Sequence, residues 1–179
     1  GQSGTIFTSP DGTTWTSRTS GTSLDLYGVT YGNNTFAVLG TNGTLLTSSD
    51  NGTTWTSRTS GTTNNLRRVT YGNRLFVTGG GSGTLLTSTD GTSWTARTSG
   101  TTNILYGVTY GNSIFVIGGT SGTILTSSDG TTWTARTSGT SKYILGLTYG
   151  NGLFVSVGES GTILTSTDGT SWSSRTSGT

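Results

Sequence analysis

The chain has 179 residues, one proline, 31 glycines and no cysteine, histidine or methionine, with a net charge of +2. Without cysteine there are no disulfides, thiolate nucleophiles or thiolate metal sites, and without histidine the usual general base and commonest metal ligand are missing. Nine basic against seven acidic residues make no cationic stripe, so no nucleic-acid partner is expected, and without a run of 18 apolar residues no membrane partner is expected either.

In chain order, a first short run at Thr5 to Thr8 turns through Ser9-Pro10-Asp11-Gly12 and returns past Trp15 and Arg18 to Thr19. An Asp-Gly turn between two such runs predicts a β-hairpin. The hairpin recurs at Trp55, Trp94, Trp133 and Trp172, each followed three residues later by Arg58, Arg97, Arg136 or Arg175. Successive Trp lie 39 residues apart, except that Trp15 and Trp55 are 40 apart because Asn51 is inserted to give Asp50-Asn51-Gly52.

Each later hairpin is preceded by another, and the unit from Leu105 to Gly139 shows all four runs. They are A (Leu105 to Tyr110), B (Ile114 to Ile117), C (Thr123 to Ser127) and D (Thr131 to Thr137), joined by Gly111-Asn112-Ser113, Gly118-Gly119-Thr120-Ser121-Gly122 and Ser128-Asp129-Gly130. Links this short force antiparallel neighbours, so the unit is a four-stranded meander. A sheet this small cannot bury both faces alone, and the copies must stack. A β-trefoil would close with three units and a β-solenoid would need parallel strands. The expectation is an all-β fold, a β-propeller of four-stranded antiparallel blades with four full blades and one half blade per chain. One repeat domain, 1–179, divides into a half blade at 1–22 and blades at 23–62, 63–101, 102–140 and 141–179.

The corner Ser48-Ser49-Asp50-Asn51-Gly52-Thr53-Thr54-Trp55 resembles the Asp-box, Ser-x-Asp-x-Gly-x-Thr-Trp, of BNR or sialidase-type propellers; the other four copies are one residue shorter. The flanking Gly-Thr-Ile-Leu-Thr-Ser and Leu-x-Gly-Val-Thr-Tyr-Gly-Asn patterns are similar to repeats of photosystem II assembly-factor propellers. The resemblance covers nearly the whole chain and implies a fold. It also implies a structural role for Asp11, Asp50, Asp90, Asp129 and Asp168, which agrees with turn chemistry: Asp accepts nearby backbone N–H groups, Gly supplies positive φ, and Trp covers the corner. The closeness of the copies points to recent amplification or deliberate construction.

Catalysis finds little support. Five of seven acidic residues are corner aspartates, leaving Asp25 and Glu159. Sialidase chemistry, as the resemblance implies it, needs an arginine triad, a tyrosine nucleophile and a partner glutamate. The arginines outside the repeat, Arg67, Arg68 and Arg74, fall in one blade. No enzyme, cofactor or metal site is expected.

Variation among the copies gathers in the D–A links and the start of strand A. The candidate ligand-binding residues are Tyr27, Asn64, Asn65, Arg67, Asn103, Tyr106, Lys142 and Tyr143. Loops over a rigid scaffold carry ligands readily, though they also drift. Carbohydrate is the leading ligand class, with Tyr27, Tyr106 and Tyr143 as stacking platforms and Asn64, Asn65 and Asn103 as hydrogen-bonding amides. The reading is therefore a non-catalytic scaffold for ligand binding or self-assembly. Its rivals are a purely structural self-assembling propeller and, remotely, a sialidase-like hydrolase. The first hairpin has no A–B partner, and its open edges predict self-association, as a homodimer.

Overall fold

The computed structural model describes residues 1–178. It opens with a two-stranded sheet, β1 (Ile6–Thr8) and β2 (Thr16–Arg18), and continues with four four-stranded sheets. These are β3 (Leu26–Gly32), β4 (Thr35–Gly40), β5 (Leu45–Ser48) and β6 (Thr56–Ser57); then β7 (Leu66–Gly72), β8 (Leu75–Gly80), β9 (Leu85–Ser88) and β10 (Thr95–Ala96). The third and fourth are β11 (Leu105–Gly111), β12 (Ile114–Gly119), β13 (Ile124–Ser127) and β14 (Thr134–Arg136), then β15 (Ile144–Gly150), β16 (Leu153–Gly158), β17 (Ile163–Ser166) and β18 (Ser173–Arg175). Every pairing is antiparallel between chain neighbours, the meander that short links dictate.

Neighbouring sheets meet chiefly through their first strands, β3 on β7, β7 on β11 and β11 on β15, which makes those strands the innermost. The core lies between blades. Ala37, Leu39 and Leu45 of one sheet pack on Leu66, Val69, Phe76 and Leu86 of the next. Val77 and Leu85 likewise meet Leu105, Val108, Phe115, Ile117 and Leu125. Within each blade the Tyr, Phe and Trp form a tilted stack, with centroids 4.7 Å apart for Tyr110 and Phe115 and 6.4 Å for Phe115 and Trp133, a favoured aromatic geometry.

Strand bounds differ from expectation at several ends, most at the start of strand D and the end of strand B. Strand D starts at Thr134 instead of Thr131 because the N–H groups of Thr131 and Thr132 donate to Asp129 Oδ1 at 2.8 and 2.9 Å, which takes them out of the ladder. Strand B runs on to Gly119, and the B–C link shrinks to a one-turn 3-10 helix, Thr120–Gly122. There Gly122 has φ +67°, and a side chain would collide with the Thr140 carbonyl of the following D–A link. That link and the B–C turn are also joined by Gly122 N–H donating to the Lys142 carbonyl at 3.0 Å, so both lie on one face of the molecule.

Candidate binding site

The inner strand of every blade carries a β-bulge at the same place: between Leu26 and Gly28, Leu66 and Arg68, Leu105 and Gly107, and Ile144 and Gly146. A bulge leaves one residue unpaired and re-aims its side chain, a device common beside functional sites. The four extra residues are Tyr27, Arg67, Tyr106 and Leu145. The Arg67 guanidinium carbon lies 5.2 Å from the centroid of the Tyr27 ring and 5.5 Å from that of Tyr106, so the cation is held between aromatic groups of the two flanking blades. Its Nε is buried and has no hydrogen-bond partner. Buried polar atoms are rarely left so, since each costs about 1–3 kcal/mol. The neighbouring Arg68 is occupied differently, donating through Nη1 to the Tyr27 carbonyl at 3.4 Å.

The structure thus brings together Tyr27, Arg67 and Tyr106 of the eight expected residues and uses the amides elsewhere. Asn64 and Asn103 donate through Nδ2 to Thr84 and Thr123 Oγ1 at 2.9 and 2.8 Å, and Asn65 Oδ1 accepts the Asn42 N–H at 2.9 Å. These are ties between D–A links and B–C turns. Lys142 and Tyr143 belong to the fourth blade, where the Tyr143 N–H donates to Glu159 Oε2 at 3.4 Å and Tyr143 is 42% exposed. Leu145, absent from the expected set, ends the row. The bulge had a faint signal in the broken two-residue alternation of Leu66-Arg67-Arg68-Val69. Beside Tyr27 lies a cavity of about 240 Å³ between the half blade and the first full blade, lined by Ile6, Phe7, Leu26, Phe36, Val38 and Trp55.

Of the three arginines outside the repeat, Arg67 and Arg68 sit on β7, while Arg74 occupies the β7–β8 turn with φ +59°. That turn is at the opposite end of the blade from the bulge. The described residues hold no group of three His, Cys, Asp or Glu able to bind a metal ion, and no helix among them is long and apolar enough to cross a membrane.

The repeated corners form the other face. Ser127 Oγ donates to Asp129 Oδ1 at 2.9 Å and accepts the Gly130 N–H at 2.8 Å, while Trp133 Nε1 donates to the Gly130 carbonyl at 3.1 Å. In the longer copy Asn51 adopts φ +59°, which absorbs the extra residue; Gly52 N–H still reaches Ser48 Oγ at 3.0 Å. The repeated arginines are scaffold too: Arg136 Nε donates to Thr126 Oγ1 at 2.9 Å, and each copy repeats the bond.

The Thr132 N–H, then the Thr131 N–H and the Ser127 hydroxyl, hold the Asp129 carboxyl below its ordinary value of 3.8. Asp11, Asp90 and Asp168 are lowered in the same way, led by the N–H groups of Thr14, Ser93 and Ser171, and Asp50 is lowered chiefly by the Thr54 hydroxyl. A carboxyl depressed in the fold stabilises it above the unfolded-state value, and that contribution is lost as the pH falls through the lower folded value. The urea midpoint is therefore expected to stay level from about pH 7 to pH 5 and to fall below about pH 4. In the variant with all five aspartates changed to Asn this decline is expected to flatten; an undiminished decline would assign the acid sensitivity to other groups.

With four repeated sheets joined through their inner strands, the chain can be set beside known proteins. The DUF6242 beta propeller domain model matches residues 63–178, well over half of the chain. The chain belongs to that family. None of the curated proteins compared with it matches. Among solved structures, YCF48 bound to D1 peptide is similar at a TM-score of 0.73 and 19% identity over 99% of this chain and 62% of that one. The computationally designed Ika4 protein is similar at 0.65 and 15% identity over 80% of this chain and 91% of that one. A Trypanosoma rangeli sialidase in complex with 2,3-difluorosialic acid is similar at 0.55 and 13% identity over 97% and 41%. The chain spans less than two thirds of the YCF48 and sialidase chains, and at these identities the likeness is one of fold.

Proposed function

We propose that this propeller is a non-catalytic scaffold that binds a carboxylate-bearing ligand over the Tyr27–Arg67–Tyr106 row. The observation that carries the reading is Arg67: rings flank it, its Nε is buried without a partner, and no ion pair to it is present among the described residues. A guanidinium whose carbon lies within 5.5 Å of both ring centroids and which has no anionic partner among the described residues is suited to a planar carboxylate, which its N–H fork matches. Acidic carbohydrate is the leading class, with Tyr27, exposed at the end of the row, as a stacking face. A neutral sugar is less well served, because Asn64, Asn65 and Asn103 are committed to the scaffold. A second reading, the acidic end of a peptide, draws support from the apolar cavity that shares Tyr27 and from the D1 peptide bound by the similar YCF48.

A glycan array containing uronate and sialylated as well as neutral glycans, run beside peptides with free and amidated carboxyl termini, tests this. Binding restricted to acidic members is expected, with Arg67→Ala weakening it by about 1.5–3 kcal/mol, the range for a hydrogen bond to a charged group. If Arg67→Ala binds every ligand as the parent does, or if only neutral glycans bind, the site is misassigned.

A further inference from the structure

At each of the three junctions between full blades the same contacts recur on the corner face. Asn33, Asn73 and Asn112 donate through Nδ2 to the carbonyls of Thr89, Ser128 and Thr167 in the next blade, at 3.3, 3.5 and 3.4 Å. Thr35, Leu75 and Ile114, two residues on, abut the corner glycines Gly91, Gly130 and Gly169. Leu86, Leu125 and Leu164 of the incoming blade are buried against residue pairs of the preceding one: Ala37 and Leu45, Val77 and Leu85, Val116 and Ile124.

Among the described residues, the fourth blade carries the donor half of this set with nothing opposite it. Val155 and Ile163 are only partly buried although their counterparts Val116 and Ile124 are fully buried, and a side chain at Gly150 would meet nothing where one at Gly111 would meet the Tyr149 ring. The half blade carries the acceptor half, likewise uncovered. Pro10 stands where Thr89, Ser128 and Thr167 stand in the corners, a side chain at Gly12 would meet nothing within 4 Å, and Phe7, in the place of Leu86, is 55% exposed. Within one copy the half blade is committed to the first blade: the Gly1 amino group donates to the Leu26 carbonyl at 2.8 Å, and Ile6 packs with Leu26, Val38 and Leu46.

We propose that the free face of the fourth blade takes the half blade of a second copy of this chain, head to tail, by repeating the internal junction. Asn151 Nδ2 then donates to the Pro10 carbonyl, Leu153 covers Gly12, and Phe7 enters between Val155 and Ile163. Both surfaces are apolar at the centre with a hydrogen bond at the rim, the ordinary anatomy of a stable interface. The contact is heterologous, so it joins copies in rings or chains of two or more. It needs no ligand at Arg67, although Phe7 also lines the cavity beside Tyr27.

Light scattering coupled to size-exclusion chromatography on the 179-residue chain should give a mass of at least twice 18.4 kDa. Phe7→Asp, at an exposed position in the single copy, should raise the dissociation constant by about tenfold or more by burying a charge, with an unchanged circular dichroism spectrum. Because the chain lacks cysteine, Pro10→Cys and Asn151→Cys can be mixed as single variants and oxidised, which should give a crosslinked pair joining one of each. A monomeric parent overturns the proposal, and so does an oligomer that is indifferent to Phe7→Asp and gives no mixed crosslink.

Discussion

Phe115→Ala is expected to destabilise the protein by about 3–5 kcal/mol, the range for truncating a fully buried aromatic. Phe115 is 0% exposed and stands at the centre of the second inter-blade cluster, against Val77 and Leu85 on one side and Leu105, Val108, Ile117 and Leu125 around it. It also links Tyr110 to Trp133 in the aromatic stack. Removing the ring opens a cavity that two rigid sheets cannot collapse to fill. Since domains of this kind hold about 5–15 kcal/mol in total, the loss is large enough to read in a urea titration. Phe115→Leu, which keeps most of the volume, should cost much less. Equal losses for the two would mean that the pocket tolerates a void and that the cluster is not where the blades are held together.

Gly111→Ala should also be costly, by about 1–3 kcal/mol, as expected when a close-packed contact is overfilled. A methyl at Gly111 would enter the ring of Tyr149 in the next blade, and that ring is itself stacked on Phe154 at 4.5 Å, so it cannot step aside. The same holds for Gly32 under Tyr71 and Gly72 under Tyr110. Gly150, the fourth member, is an internal control: a side chain there meets nothing within 4 Å, and Gly150→Ala should leave the urea midpoint within about 0.5 kcal/mol of the parent, as for other surface changes. If both variants behave alike, the tyrosine is not the wedge between blades.

The corners and hairpins were legible from the chain alone because their causes are local. An Asp that accepts N–H groups two and three residues on, and a Gly that takes positive φ, act within one turn of chain; Trp15, Trp55, Trp94, Trp133 and Trp172 therefore mark the C–D corners by position. The meander followed from link length, and stacking from a unit too small to bury itself. The roles of Asn64, Asn65 and Asn103 were not legible, because their partners Thr84, Asn42 and Thr123 lie about 20 residues away across two links. Both a scaffold tie and a ligand contact suit an amide in a variable loop, and only folding selects between them.

By itself the sequence determined the repeat, the antiparallel four-stranded blade, the structural character of the five aspartate corners and the unequal number of A–B and C–D hairpins. Tertiary structure alone decided which variable residues meet. Tyr27, Arg67 and Tyr106 are about 40 residues apart in the chain and become neighbours because equivalent bulges on successive inner strands face one another across blade junctions. Local chemistry is written in the order of residues, whereas contacts between blades depend on how one sheet is placed on the next.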